Sequence, residues 1–167
     1  RLFKLKKEDK LEAYLIATAC TKFEKKADQT FKSLTEEIYC DLLKSAKVEN
    51  GNMIGQAWFG NCGMGTFGQN NIRGQVCFTP LVQKKLFPER VGIINVEGGC
   101  ATGSMAFHGA WKDVISGTED VSLAIGVEKI YQPNQPEKIQ EIYDGGIDQF
   151  DRNEWLEFYE AIGNELG

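Results

Sequence analysis

Cys100 carries the most reactive side chain in an unusual setting. In NVEGGCATGSMAFHGAWKDVISG, Asn95 to Gly117, it follows Gly98 and Gly99 and opens a stretch with helical character. A helix N-terminus offers unpaired backbone N–H groups and the positive end of a dipole, and both favour a thiolate. The two glycines allow a sharp strand-to-helix turn and clear side chains from a ligand's path. Ala101, Thr102, Gly103 and Ser104 keep the next turn small and leave room for a substrate. A packed core cysteine at a tight turn is the alternative reading. The only histidine, His108, stands eight residues further on. That is roughly 12 Å along a helix axis, too far to serve Cys100 from the same helix. A packing role is expected for it.

Other motifs invite chemistry less well. GMGTFG, Gly63 to Gly68, matches the outline of a dinucleotide fingerprint. Its confirming acid should close the next strand, and Glu89 precedes that strand instead. A glycine-rich loop near a subunit interface is the preferred reading. Asp144, Asp148 and Asp151 lack the central glycine and terminal glutamate of a calcium loop, so a solvated face is expected. Trp155, Phe158 and Ile162 share one side of a helix, which predicts core packing. Cys20, Cys40, Cys62 and Cys77 read as small buried hydrophobes.

The elements that would hold Cys100 follow from apolar runs and turn signals. AYLIATA, 13–19, reads as a buried first strand, with a polar loop behind it. SLTEEIYCDLLKSAKV predicts a helix capped by Ser33, with Glu36 completing a capping box. IGQAWFGNC is a strand, and NIRGQVCFTPLVQKKL is helical in part, with Pro80 bending or interrupting it. RVGIINVEG is a strongly apolar strand, followed by a helix from about Cys100 to Ser116 that Gly117 stops; DVSLAIGVEKI is the last strand. Continuous apolar strands alternating with helices imply an α/β fold with a mostly parallel sheet, covered on both faces. Beyond Ile130 the chain turns acidic, with one amphipathic helix expected over roughly Arg152–Ile162.

Bulk properties narrow the function. The chain has 167 residues, 42% hydrophobic and 26% charged, and a net charge of −5. One domain with a real core is expected. The acidic balance argues against nucleic acid as a partner, and no stretch approaches a membrane span. The basic start precedes an apolar run too short, and too poor in cleavage signals, to read as a secretory leader. Five scattered cysteines without CxxC spacing suggest neither a disulfide framework nor a zinc site, which makes a cytoplasmic setting the simplest one.

NVEGGCATGSMAFHGAWKDVISGTEDVSLAIGVEK resembles the nucleophile segment of thiolases, which run from a strand into Cys-Ala-Ser/Thr-Gly-Ser, a helix ending near Ser-Gly, and a strand reading Leu-Ala-x-Gly-Val-Glu. The sterol-carrier-protein type and acetyl-CoA acetyltransferase-like members are nearest. TKFEKKADQTFKSLTEEI resembles the loop and first helix of that family, and GQNNIRGQ, Gly68 to Gln75, its Gly-Gln-Asn-x-x-Arg-x-Gln stretch. The resemblance covers about residues 11–130. Thr102 replaces the commoner serine, and the doubled glycine before Cys100 is a second departure.

The resemblance implies an N-terminal extension over 1–12, the N-terminal half-domain of a thiolase over 13–130, and the start of a loop domain over 131–167. It implies that the family's C-terminal half, with two catalytic histidines and a second cysteine, lies outside this sequence. It further implies acyl transfer between a 3-ketoacyl-CoA and coenzyme A, in the cleavage or the condensation direction. In that reaction Cys100 is the nucleophile, its own N–H joins an oxyanion hole, and Gly99 and Gly103 line the substrate site. Coenzyme A enters as substrate, with no bound cofactor or metal. A homodimer or higher oligomer is implied, and a small OB-fold, zinc-ribbon partner subunit accompanies some relatives. The competing reading is a thiolase-like subunit that binds acyl-CoA, or scaffolds a hetero-complex, without turnover.

Overall fold

A computed structural model describes residues 12–166 of the chain. The expected N-terminal extension therefore lies outside the described residues save for Glu12. Three strands form the sheet, β1 (Gln56–Gly60), β2 (Gly92–Val96) and β3 (Ser122–Gly126). All pair in parallel, in the order β2-β1-β3. Gly60 of β1 is level with Val96 and with Gly126, so the strands finish on one line. Each strand sits inside an apolar run of the sequence; β1 and β3 carry buried residues, while the edge strand β2 has none and leaves Ile94 exposed.

Among the described residues there are five α-helices: α1 (Phe31–Ala46), α2 (Arg73–Gln83), α3 (Thr102–Ile115), α4 (Glu137–Asp144) and α5 (Arg152–Leu166). The expected cap of α1 moves three residues back. Thr30 is the cap, its hydroxyl accepting the Ser33 N–H at 3.1 Å, while the Ser33 hydroxyl accepts the Thr30 N–H at 2.8 Å. Ser33 is thus the inner half of the box, and Glu36 pairs instead with Lys84. Helix α2 passes through Pro80 and stops at Gln83, so Pro80 does not interrupt it.

The helices cover opposite faces. Phe59 faces α2, where a Cβ on Gly74 would lie 2.7 Å from the Phe59 side chain and 2.6 Å from Ile93. Tyr39, Phe78 and Phe87 complete that core, all 2% exposed or less, with Phe78 and Phe87 centroids 4.5 Å apart. Trp58 faces α3, which turns Thr102, Ala106, Gly109 and Ala110 inward. A Cβ on Gly109 would overlap the Trp58 indole, so the small face lets α3 lie directly on the sheet.

Two expectations are corrected. Residues 13–19 form no strand; Tyr14, Leu15 and Ile16 are exposed, and the segment lines a cleft of about 500 Å³ beside β3, α1 and α3. Apolar sequence without a neighbouring strand to share its N–H and C=O groups does not make a ladder. The second concerns α5, which has no buried residue. Phe158 is 56% exposed, so the side expected to pack in a core is largely open. Among the described residues no helix is long and apolar enough to cross a membrane.

Candidate active site

Parallel strands direct their carboxyl ends to one edge, where loops carry chemistry. Asn61 and Cys62 follow β1 at that edge, Glu97 to Cys100 follow β2, and Val127 and Glu128 follow β3. Asn61 is 1% exposed and fastens the edge. It donates from Nδ2 to the Val127 carbonyl at 2.7 Å, and its Oδ1 accepts the Met64 N–H at 2.9 Å. Arg73 donates to the Asn61 carbonyl at 2.6 Å.

Cys100 is exposed at this edge. The helix expected from Cys100 begins two residues later, because Gly99–Ala101 form a turn of 3-10 helix ahead of Thr102. Gly99 holds a φ of 55°, a left-handed conformation that suits glycine. Its N–H donates to Glu97 Oε1 at 2.6 Å. The Ala101 N–H donates to the Gly98 carbonyl at 3.0 Å. The Gly98 N–H donates to the Thr102 hydroxyl oxygen at 2.9 Å. The N–H groups of Gly98, Gly99 and Ala101 are all spent on the turn, whereas that of Cys100 has no acceptor among the described residues. A free N–H beside an exposed thiol can meet the oxygen of a carbonyl that the sulfur attacks.

Gly99 and Gly103 flank Cys100, and a Cβ at either would meet nothing within 4 Å. Neither glycine is crowded where a side chain would stand. Gly98 is confined instead, since a Cβ there would strike the Met105 sulfur. His108 stacks on Trp111 with centroids 5.3 Å apart and an interplanar angle of 15°, the packing role its spacing implied.

Sequence reasoning passed over a charged cluster beside this turn. Glu128 accepts the N–H of Cys62 and, at 3.1 Å, that of Gly63. Burial pushes its carboxyl above the usual carboxylate range, against the pull of those N–H groups and of Arg73. Burial likewise raises the Cys62 thiol, with the charges of Glu97 and Glu128 adding to it. A thiol so placed stays protonated, unlike one that attacks. The signal was legible: INVE and AIGVE each end a strand on glutamate, and strands in parallel register bring such residues to one edge. GMGTFG forms a short 3-10 helix, Gly63–Phe67, closed by Gly68 at a φ of 90°.

Known proteins share this chain's sequence over much of its length. The family model for the thiolase N-terminal domain matches residues 13–150. The benzoylsuccinyl-CoA thiolase subunit BbsB of Thauera aromatica is 33% identical over 117 residues. An acetyl-CoA acetyltransferase of Methanocaldococcus jannaschii is 32% identical over 117 residues. Either match takes in 70% of this chain and 28% of the relative, so the chain spans less than a third of the proteins it resembles.

Proposed function

The chain belongs to the thiolase family, and on that premise we propose that it carries the nucleophile of an acyl transfer between a 3-ketoacyl-CoA and coenzyme A. The observation that carries the reading is Cys100, exposed at the carboxyl edge of the sheet with its own N–H free. A base takes the thiol proton, and sulfur attacks the 3-keto carbon. The Cys100 N–H holds the resulting oxyanion. As the carbonyl re-forms, the bond between C2 and C3 breaks, and C2 takes a proton and leaves with C1 and its coenzyme A, as acetyl-CoA where C2 is unsubstituted; the shortened acyl-CoA forms in the second half of the reaction. The acyl group stays on Cys100 as a thioester until the sulfur of a second coenzyme A attacks it, restoring the thiol. His108, stacked on Trp111 two turns away, is not that base. The base and the acid come from residues outside this sequence. Gly99 and Gly103 leave the acyl group its space. One relative is named as a subunit, and assembly into an oligomer, with itself or a second kind of chain, belongs to the proposal.

The test is covalent. Full-length protein mixed with 3-ketoacyl-CoA substrates gains the mass of an acyl group on the peptide containing Cys100. Cys100→Ser loses that adduct, and turnover falls by several orders of magnitude, since a serine hydroxyl is scarcely ionised near neutral pH. Retention of full activity by Cys100→Ser refutes the mechanism. Wild-type protein that binds acyl-CoA but never acylates, across straight-chain, branched and aromatic substrates, establishes the non-catalytic subunit instead.

A further inference from the structure

Thr102 is the one nearly buried polar residue of the nucleophile turn, only 7% exposed. Its hydroxyl accepts the Gly98 N–H at 2.9 Å and donates to the Gly99 carbonyl at 2.7 Å. One oxygen therefore ties the peptide that enters the two glycines to the peptide that leaves them for Cys100. Its methyl group is also engaged: a Cβ on Gly60 would stand 3.1 Å from Thr102 Cγ2, so that group lies against the end of β1. Serine could make the two hydrogen bonds but would leave that contact empty.

We propose that Thr102 is a positioning residue for Cys100, a hydroxyl that locks the Gly98–Gly99 turn to the head of α3 while its methyl seats α3 on Gly60. The inference rests on the reading of Cys100 as an acyl-accepting nucleophile. Glu97 holds the same turn through the Gly99 N–H, but it does so from the exposed side. Thr102 is the inner anchor. With the hydroxyl gone, the Gly98 N–H loses its acceptor and the Gly99 carbonyl keeps only the Thr102 backbone N–H, so the turn is held less firmly to the head of α3. Cys100 then samples orientations in which its sulfur and its N–H no longer converge on one carbonyl. Thr102 touches no substrate in this scheme. It acts through the geometry of Cys100, so the chemical step suffers and substrate affinity does not.

Valine and serine separate the two functions of the side chain. Thr102→Val keeps the shape and the methyl contact and deletes the hydroxyl, while Thr102→Ser keeps the hydroxyl. In the full-length protein, the single-turnover rate of Cys100 acylation by a 3-ketoacyl-CoA falls about 100-fold in Thr102→Val, the scale expected of a nucleophile displaced by about 1 Å. The KM for the acyl-CoA changes less than about threefold, since binding contacts away from the reacting carbon are untouched. Thr102→Ser recovers the greater part of the lost rate. Equal rates in wild type and Thr102→Val, or a loss that serine fails to recover, overturn the inference while leaving Cys100 acylation in wild type standing. A loss confined to KM overturns it as well. Wild type that does not acylate at Cys100 overturns this inference and the parent reading together, and intact mass tells that case from the others. A Thr102→Val protein that unfolds is answered by the serine variant: acylation near the wild-type rate with a somewhat lower melting temperature supports the hydroxyl as the anchor and the methyl as the seat, and a slow folded serine variant refutes the anchor.

Discussion

Phe59 points from β1 into aromatic rings, with Phe78 at 6.2 Å between centroids, and Tyr39 and Phe87 packed around Phe78. Trp58, one residue earlier, faces a helix whose inward side is Thr102, Ala106, Gly109 and Ala110. The two faces of one sheet thus divide two tasks. Large rings bury much apolar area and hold the layer together. Small side chains bury little but bring α3 close, which fixes where its N-terminus, and Cys100, stand. Trp58 is held on that side by donating to Asp113 Oδ2 at 2.6 Å, and Ser122 donates to the same oxygen at 2.8 Å. The helix is therefore pinned to both β1 and β3. One face sets how stable the layer is, and the other sets where Cys100 points.

Substitutions on the two faces test this division. The largest loss of stability is expected on the aromatic side: Phe78→Ala lowers it by about 3–5 kcal/mol, the cost of deleting a buried ring and leaving a cavity. Chemical denaturation measures this, and the fraction that remains folded should alkylate at Cys100 at the wild-type rate. A changed alkylation rate in that folded fraction would break the comparison. On the other face, Gly109→Ala forces a methyl group into the Trp58 indole. Overpacking of this kind costs about 1–3 kcal/mol. The stability loss is smaller than for Phe78→Ala, but Cys100 alkylation and acylation slow, because α3 must lift. A Gly109→Ala protein with unchanged Cys100 kinetics would show that helix height and nucleophile placement are independent.

The smallest effect lies at the edge the two faces share, and it depends on pH. Burial raises the Glu128 carboxyl above its ordinary value, so the folded protein binds that proton more tightly than the unfolded chain does. Stability contributed by this group therefore rises as pH falls from neutrality through the raised range, and levels off below the ordinary carboxylate value near 4.5. Glu128→Gln removes the titration. The difference in denaturation midpoint between wild type and Glu128→Gln should vary with pH in that window and stay flat above it. A flat difference throughout would show that the carboxyl is not held up by its surroundings.

Much of this arrangement was legible in the residues. Each strand lies within an apolar run, and the Gly-Gly-Cys turn marked the junction of β2 and α3 correctly. What misled was local similarity without a partner. AYLIATA has the composition of a strand, yet strand formation depends on a neighbour's backbone groups, and residues 13–19 have none among the described residues. Ser33 was expected as the cap, and the geometry uses it as the reciprocal partner of Thr30, three residues earlier. Helix α4 escaped notice because prolines surround its start, although Pro136 is the cap itself. The Thr102 hydroxyl was hidden for a different reason. Its two partners are backbone atoms of glycines, and no sequence pattern shows which way a buried hydroxyl turns.

The common finishing line of the three strands has a consequence for descent. Gly60, Val96 and Gly126 stand level, and the pairing runs one residue further, the Asn61 N–H donating to the Val96 carbonyl and the Val127 N–H to the Gly60 carbonyl. Beyond Asn61 and Val127 the segments can change composition without unpairing the strand ends. Mutation is thereby sorted into two streams, a conservative one within the strands and a permissive one just past their ends. A lineage built on such an edge can alter one loop at a time while Cys100 keeps its address.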